Sequence, residues 1–328
     1  MNLHKTGTIA NFAAVLTNVI MPKCNQYKFT RTVAIAMLAS LLGISCRQTT
    51  HEQPRPSGRP IRINTVCVPS ENAVLDNDTA FEDGDRAGLY VVNRINGKMQ
   101  SLLPSGNHID NMRFTYHGTW TPSQPIYWMD EQTKADFYLY YPYSSKMDDP
   151  RYWTVNVPTD QSSEATMLQA DVLVGHAYNV APTSQAVEIK ARHIMSRLTI
   201  TLQASQGMTE EKLREADLKV LVNGLITKAT VDIANALVRA NGNERHDIRA
   251  CQTDTLTFTV TAVPQKVAEG PLITIVVNGD RYTLRRAVTL KQGTWHHATV
   301  KVGAANGNIG VTIGGWTIDN TDYGGTAQ

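Results

Sequence analysis

Motifs that mark the common active sites are missing from this sequence of 328 residues. It has no G-x-S-x-G nucleophile turn, no H-E-x-x-H zinc helix, no Walker loop and no G-x-G-x-x-G at the start of a helix. Because short strands also dominate the chain, we predict that it is not an enzyme and that it has no catalytic residues, no cofactor and no metal site.

Basic residues are scarce outside the amino terminus. Of the 31 basic residues, four (Lys5, Lys23, Lys28 and Arg31) lie in the first 45 positions, which hold no acidic residue. Removing those four leaves 27 basic residues against 29 acidic ones. Proteins that bind nucleic acid present a basic surface to the phosphates, so no nucleic-acid partner is expected.

The apolar run VAIAMLASLLGI, from Val33 to Ile44, has twelve residues. A helix needs about 20 apolar residues to span a bilayer, so this run is too short. Basic residues precede it and small residues follow it, which is the layout of a signal peptide over residues 1–45. Residues 1–20 precede a second suitable start at Met21, and we interpret them as a misassigned start.

The residues before Cys46 resemble a bacterial lipobox, in which the cysteine becomes the lipidated first residue of the mature protein. Gly43 stands where leucine is usual, so ordinary secretory cleavage is the alternative. The resemblance implies an exported lipoprotein, acylated at Cys46 with palmitate-type chains and anchored in the outer membrane. Residues 46–60 contain three prolines and no apolar periodicity, which predicts a flexible tether.

Cysteines are few, and only four occur in the whole chain. Cys24 is expected to leave with the signal peptide, and Cys46 is expected to be acylated. Cys67 and Cys251 then remain, and an exported protein can form disulfides. Whether these two thiols pair is left open, because their separation in the sequence does not define their distance in space.

Alternation of apolar and polar residues dominates the chain after Pro60 and predicts β-strands. Asn96-Gly97 and Asn278-Gly279 predict tight turns between strands. Thr209–Leu218 alone is predicted to be helical, with Thr209 as its cap. The predicted strands include Ile61–Val68, Leu89–Val92, Met112–Tyr116, Phe137–Tyr141, Leu198–Leu202, Leu218–Val222, Ala229–Ile233, Leu256–Val260, Ala298–Val302 and Ile309–Ile313.

Many short strands with turns about every ten residues are typical of antiparallel β-sandwiches. We therefore predict an all-β fold with two such sandwiches. The amino-terminal sandwich is placed at residues 61–188 and the carboxy-terminal one at residues 189–328.

Two groups of side chains have the chemistry of a ligand site, but another role is favoured for each. His296 and His297 are adjacent, so on a strand they point to opposite faces and cannot share a metal ion. The aromatic run Phe137–Tyr143, with Tyr127 and Trp128 nearby, could stack on a sugar. Packing in a core or an interface is favoured for most of these rings, and exposed tyrosines are left as the alternative.

Seven segments stand out in order along the chain. They are FEDGDRAGLY (Phe81–Tyr90), PIYWMDEQTKADFYLYYPY (Pro125–Tyr143), VPTDQSS (Val157–Ser163), HIMSRLTITL (His193–Leu202), TVDI (Thr230–Ile233), AVPQKV (Ala262–Val267) and GGW (Gly314–Trp316). In this order, the segments resemble the fimbrillin or Mfa-like family of Bacteroidales. The resemblance implies two transthyretin-like β-sandwich domains, export as a lipoprotein and assembly into pili that serve adhesion and biofilm formation.

Assembly in this family implies exchange of strands between subunits. A sandwich that lacks one strand exposes an apolar groove and unpaired backbone groups, which a strand from a neighbour can fill. In related pilins an arginine-specific protease removes the first strand, and the candidate sites here are Arg55, Arg59 and Arg62. No lysine or arginine lies between Arg62 and Arg86, so cleavage at these sites would leave most of the first strand. The chain is then expected either to use another protease or to be an anchor or accessory subunit.

Two further predictions rest on short patterns. Ile309, Val311 and Ile313 alternate with small residues, as a donor strand requires. Asp78-Thr79-Ala80 and Asp254-Thr255-Leu256 resemble the acceptor pattern for O-glycosylation in the Bacteroidales, which marks Thr79 and Thr255.

Taken together, these features predict a structural subunit of a surface pilus, either stalk, tip or anchor. Its expected partners are other pilin subunits, the outer membrane through the lipid, and a ligand on a host or bacterial surface. The alternative is a monomeric surface lipoprotein that binds a glycan or a host ligand.

Overall fold

The computed structural model describes residues 58–67, 81–303 and 325–327. Nearly all the regular structure in these residues is β-strand, as the alternation predicts. The first part of the chain forms β1 (Ile63–Cys67), β2 (Arg86–Asn93), β3 (Ile109–Tyr116), β4 (Trp120–Pro122), β5 (Ala135–Tyr141), β6 (Trp153–Asn156), α1 (Glu164–Gln169), β7 (Leu173–Val180) and β8 (Val187–His193).

Among the described residues, the second part adds thirteen strands and one helix. Asn278 and Gly279 link two of the strands with positive φ values of 51° and 97°, which confirms the predicted hairpin. The elements are β9 (Ser196–Ala204), α2 (Glu210–Arg214), β10 (Leu218–Leu225), β11 (Lys228–Asp232), β12 (Leu237–Ala240), β13 (His246–Arg249), β14 (Cys251–Asp254), β15 (Thr257–Ala262), β16 (Gln265–Val267), β17 (Pro271–Val277), β18 (Asp280–Arg285), β19 (Val288–Leu290), β20 (Trp295–Val302) and β21 (Gly325–Ala327).

The two helices are one or two turns long. The side chain of Thr209 accepts a hydrogen bond from the backbone N–H of Lys212, which confirms the predicted cap of α2. Helix α1 was not predicted, although Ser163 caps it in the same way. Within the described residues, no helix has the length and apolar character needed to cross a membrane.

Seven strands form the largest sheet, in the order β1-β8-β7-β5-β2-β3-β4. Its central strands β2 and β5 are buried on both faces. One face carries Leu89 and Phe137 in a smaller apolar core, and the other carries Tyr90 and Tyr138 in a larger one. Aromatic side chains of β5 therefore pack on both sides of the sheet, which confirms the packing interpretation for this run.

The larger core continues between two further sheets that face each other as a sandwich. One has the order β13-β10-β17-β18 and the other β14-β15-β9-β20-β21. Alternate residues such as Val220, Ile275, Ile200 and Val300 point inward and are fully buried. This arrangement agrees with the predicted all-β class and its sandwich architecture.

Three pairs of strands in the described ranges are parallel, in contrast to the antiparallel pairing predicted. These pairs are β1 with β8, β9 with β20, and β20 with β21. In each pair, a long stretch of chain separates the two strands, so the second can enter the sheet from the same end as the first. The other strand pairs are antiparallel, as expected.

The predicted boundary between residues 188 and 189 falls inside β8. This strand pairs with β1 on one side and with β7 on the other. Strand β6 lies outside the seven-stranded sheet and pairs with β11, so that Val155 lies opposite Ala229. The division into two sandwiches at residue 188 stays a prediction.

Candidate functional site

The first strand lies between two segments that are distant in sequence. On one side, the Ile61 N–H donates to the Ile126 carbonyl at 2.9 Å, and the Trp128 N–H donates to the Arg59 carbonyl at 3.0 Å. On the other side, the Val187 N–H donates to the Arg62 carbonyl at 2.8 Å. From Ile63 onward, β1 continues in parallel register along β8. Residues 59–61 are therefore held by residues 126–128, and the chain from Arg62 through β1 is held by β8 at the edge of the sheet.

The side chains of the first strand follow a strict alternation. Ile61 is 2% exposed and Ile63 is 5% exposed, and both belong to the smaller core. Arg62 and Asn64 point outward and are exposed. The buried partners in that core include Phe114, Trp128, Phe137, Leu139, Val187 and Ile189.

Removing this strand would uncover an apolar groove and leave backbone groups unpaired along β8 and along residues 126–128. Burial of an aliphatic side chain contributes roughly 1.5 to 3 kcal/mol, so Ile61 and Ile63 hold the strand firmly. The groove ends in a polar contact, since the Trp120 indole N–H donates to the Thr65 hydroxyl at 2.9 Å. The pattern of two aliphatic pockets followed by a hydroxyl contact defines what a replacement strand must present.

The three candidate arginines differ in their surroundings. Arg55 lies outside the described residues. The guanidinium of Arg59 donates to the Pro182 carbonyl at 3.0 Å and forms an ion pair with Glu131. Arg62 donates to the Ser184 carbonyl at 3.4 Å, and its own carbonyl is paired. A protease needs an extended, unpaired segment, so cleavage at Arg59 or Arg62 requires this part of the strand to detach first.

The two cysteines in the described part of the chain, Cys67 and Cys251, are free thiols. Cys67 ends β1, and burial together with the nearby Asp171 carboxylate raises its pKa to about 11. Burial also raises the pKa of the Cys251 thiol, with a smaller effect from the charge of Glu164. Both groups are therefore protonated near neutral pH and react slowly as nucleophiles.

The structure separates the paired histidines, as predicted. The buried His296 ring accepts a hydrogen bond from the Lys291 N–H at 3.1 Å. His297 points to the opposite face, where it stacks on Trp295 with ring centroids 5.4 Å apart. In the parts of the chain that the structure describes, no three His, Cys, Asp or Glu side chains are placed to hold a metal ion.

The predicted donor strand, Ile309, Val311 and Ile313, lies outside the described residues. The short strand β21 near the end of the chain was not predicted. It pairs in parallel with β20, from Val300 opposite Gly325 to Val302 opposite Ala327. Its sequence, Gly-Thr-Ala, carries no apolar alternation that could have indicated a strand.

Of the two candidate glycosylation sites, Thr79 lies outside the described residues. Thr255 is exposed in the turn between β14 and β15. Its backbone is fixed, because the Gln252 amide donates to the Thr255 carbonyl at 2.9 Å. The hydroxyl is therefore open to a modifying enzyme while the turn keeps its shape.

We expect native protein to carry an O-linked glycan at Thr255. Mass spectrometry of the protein from its own host should show a mass increase that Thr255→Val removes. The neighbouring exposed Thr253→Val should leave the mass increase unchanged. A bare Thr255 in native protein would contradict the prediction.

The sequence profile of the fimbrillin-like family matches residues 72–316, which is most of the chain. A relative from Bacteroides ovatus, provisionally named fimbrium tip subunit Fim1C, is 27% identical over 202 residues. That alignment covers 55% of this chain and 36% of the relative, so the chain spans about a third of that protein. A second relative, provisionally named fimbrium subunit Fim1C of Bacteroides uniformis, is 22% identical over 87% of this chain and 94% of its own length.

Two solved structures share the fold. One is a crystal structure of a provisionally named cell adhesion protein from Bacteroides uniformis, with a TM-score of 0.60 and 19% identity. It aligns with 78% of this chain and 99% of its own. The other, of the same provisional name, comes from Bacteroides ovatus and has a TM-score of 0.60 and 16% identity over 81% of this chain and 99% of its own. At such low identity, these structures show the fold alone.

Proposed function

Because this chain belongs to the fimbrillin-like family, we propose that it is a structural subunit of a fimbrium on the cell surface. The names of its two Fim1C relatives support this role. We further propose that subunits join by exchange of β-strands and that the assembled fimbrium serves adhesion and biofilm formation. Its partners are then other pilin subunits.

The observation that carries strand exchange is the position of the first strand. It follows the predicted tether, its first residues pair with residues 126–128 and the rest with β8 at the edge of the sheet, and it fills an apolar groove with Ile61 and Ile63. A strand that closes a core in this way can be replaced by one of the same pattern from another subunit. The absence of lysine and arginine between Arg62 and Arg86 supports a subunit that retains this strand or is processed by a protease of another specificity.

The function is tested on protein taken from the cell surface. On unboiled gels, a fimbrial subunit gives a ladder of polymers that collapses to one band after boiling. Sequencing of the mature amino terminus then shows whether the first strand is retained or removed by a protease. A terminus at Cys46 means that the first strand is kept, and a terminus beyond Cys67 means that it is removed. A saturable ligand-binding monomer without any ladder would contradict the proposal and favour a monomeric surface lipoprotein.

We also propose that the mature chain is anchored in the outer membrane through acylated Cys46. Two or more acyl chains hold a protein in a membrane even when salt screens its charges. Cys46→Ala is therefore expected to release the protein from washed membranes into the soluble fraction. Cys24→Ala is the matched control, because Cys24 would be lost with the signal peptide, and it should leave membrane binding unchanged. Equal partitioning of both variants into detergent would contradict lipidation at Cys46.

A further inference from the structure

An open groove of about 500 Å³ lies beside the first strand, at the end of the seven-stranded sheet where β3 begins. Residues at the start of β3 form one wall, and the segment Gln124–Met129 forms the other. The same segment pairs with the backbone of Arg59 and Ile61. Volumes of about 300 to 1,000 Å³ are usual for sites that bind small ligands.

An aromatic ring and several polar groups face this groove. Tyr127 is 41% exposed, although most aromatic side chains of this sheet are buried. The His108 Nε2 lies 2.7 Å from the Tyr127 carbonyl, which can only accept, so Nε2 donates and Nδ1 of the neutral ring is left as an acceptor. Gln124 is exposed, and its amide has no hydrogen-bond partner among the described residues.

The wall at the start of β3 is fixed before any ligand arrives. The Asp110 carboxylate accepts hydrogen bonds from the N–H groups of Gly106 and Asn107, at 2.8 and 3.1 Å. The amide of Asn107 in turn bonds the Leu103 carbonyl at 2.8 Å. A preformed wall lowers the entropic cost of binding.

The chemistry of the lining excludes several classes of ligand. None of the described residues that line the groove is a lysine or an arginine, and Asp110 contributes negative charge, so an anionic ligand is disfavoured. An added peptide strand is disfavoured as well, because the Ile126 carbonyl and the Trp128 N–H already pair with the first strand. A neutral ligand rich in hydroxyl groups fits the exposed ring and the amide best.

We infer that this groove binds a short saccharide of one or two pyranose rings. The apolar face of a pyranose packs on the ring of Tyr127, and its hydroxyl groups pair with the Gln124 amide, the Asp110 carboxylate and the His108 Nδ1. This goes beyond assembly of the fimbrium, since it gives the subunit a ligand of its own. It also does not depend on strand exchange.

The test uses the full chain, solubilised in detergent, on an array of mammalian and bacterial oligosaccharides of one to four rings. The best-bound sugar is then titrated as the free compound. Tyr127→Ala should weaken binding by about tenfold or more and Gln124→Ala by about threefold to tenfold. Tyr127→Phe keeps the ring and should stay within about threefold of the original affinity.

Tyr152→Ala is the matched control, because this tyrosine is 66% exposed and lies outside the groove. It should bind the sugar as the unmodified chain does. All variants should keep the Tm of the unmodified chain. Tyr127→Ala should still form polymers on unboiled gels, so a loss of saccharide binding can be distinguished from a loss of the fimbrial role. Binding of no saccharide on the array, or equal binding by Tyr127→Ala, would overturn the inference.

Discussion

Replacement of Ile63 by aspartate is expected to lower the free energy of unfolding by about 3 to 5 kcal/mol, because it removes a buried aliphatic side chain and places a carboxylate in an apolar core. Ile63 is 5% exposed, and its backbone is paired with β8. For a domain of this size, the loss corresponds to a fall in Tm of roughly 6 to 20 °C. Thermal unfolding followed by circular dichroism measures the change.

Asn64→Asp is the matched control for this experiment. It introduces the same charge one residue later on the same strand, where the side chain is exposed. We expect its Tm to stay within about 2 °C of the unmodified protein, since surface substitutions usually change stability by less than about 0.5 kcal/mol. If Ile63→Asp has the same Tm as the control, the first strand does not close the core. The apolar groove proposed for strand exchange would then not exist.

Local signals in the sequence were sufficient for several elements. The Asn278-Gly279 turn was predictable because type I′ hairpins need positive φ at both central positions, which these two residues tolerate. The cap at Thr209 was predictable because its side chain reaches the N–H of Lys212 within the same turn. Each of these features is determined by residues within a few positions of each other.

The partners of the first strand could not be predicted in the same way. Alternation correctly indicated that Ile61 and Ile63 share one face. It carries no information on which strand lies alongside, and the parallel pairing of β1 with β8 joins residues more than a hundred positions apart. Pairing at that range depends on the packing of the whole sheet.

The burial of both faces of β5 shows a second limit. Phe137 and Leu139 pack in the smaller core, whereas Tyr138 and Tyr140 pack in the larger one. An unbroken apolar run is typical of a strand covered on both sides, but it does not identify the layers that cover it. Here the second layer includes Trp153, whose ring meets Tyr140 with centroids 5.0 Å apart.

Only part of the proposed saccharide groove could be predicted from the sequence. Tyr127 was singled out as one of several aromatic residues near the run Phe137–Tyr143. Its exposure follows from the pairing of residues 126–128 with the first strand, which turns Ile126 and Trp128 inward and leaves Tyr127 outside. Its proximity to His108 depends on the fold of the loop before β3 and had no signal in the sequence.

The second large effect, a loss of polymerisation, is expected from a substitution in the proposed donor strand, residues 309–313. Val311→Asp is expected to abolish the polymer ladder on unboiled gels while the monomer is still exported. If Ile309, Val311 and Ile313 fill a neighbour's groove, each contributes roughly 1.5 to 3 kcal/mol, and a buried carboxylate in the central pocket opposes insertion. A loss of only about 1.4 kcal/mol already weakens association tenfold.

Thr312→Asp is the matched control, because in an inserted strand the alternation predicted from the sequence would direct this side chain away from the groove. It should polymerise as the unmodified chain does. Substitution is preferable to truncation after Val302, which would also remove β21 from its pairing with β20. Surface polymers formed by Val311→Asp as readily as by Thr312→Asp would show that residues 309–313 are not the donor. Another segment of the chain would then have to act as the donor, or this chain would only receive a strand, in the groove that Ile61 and Ile63 now fill.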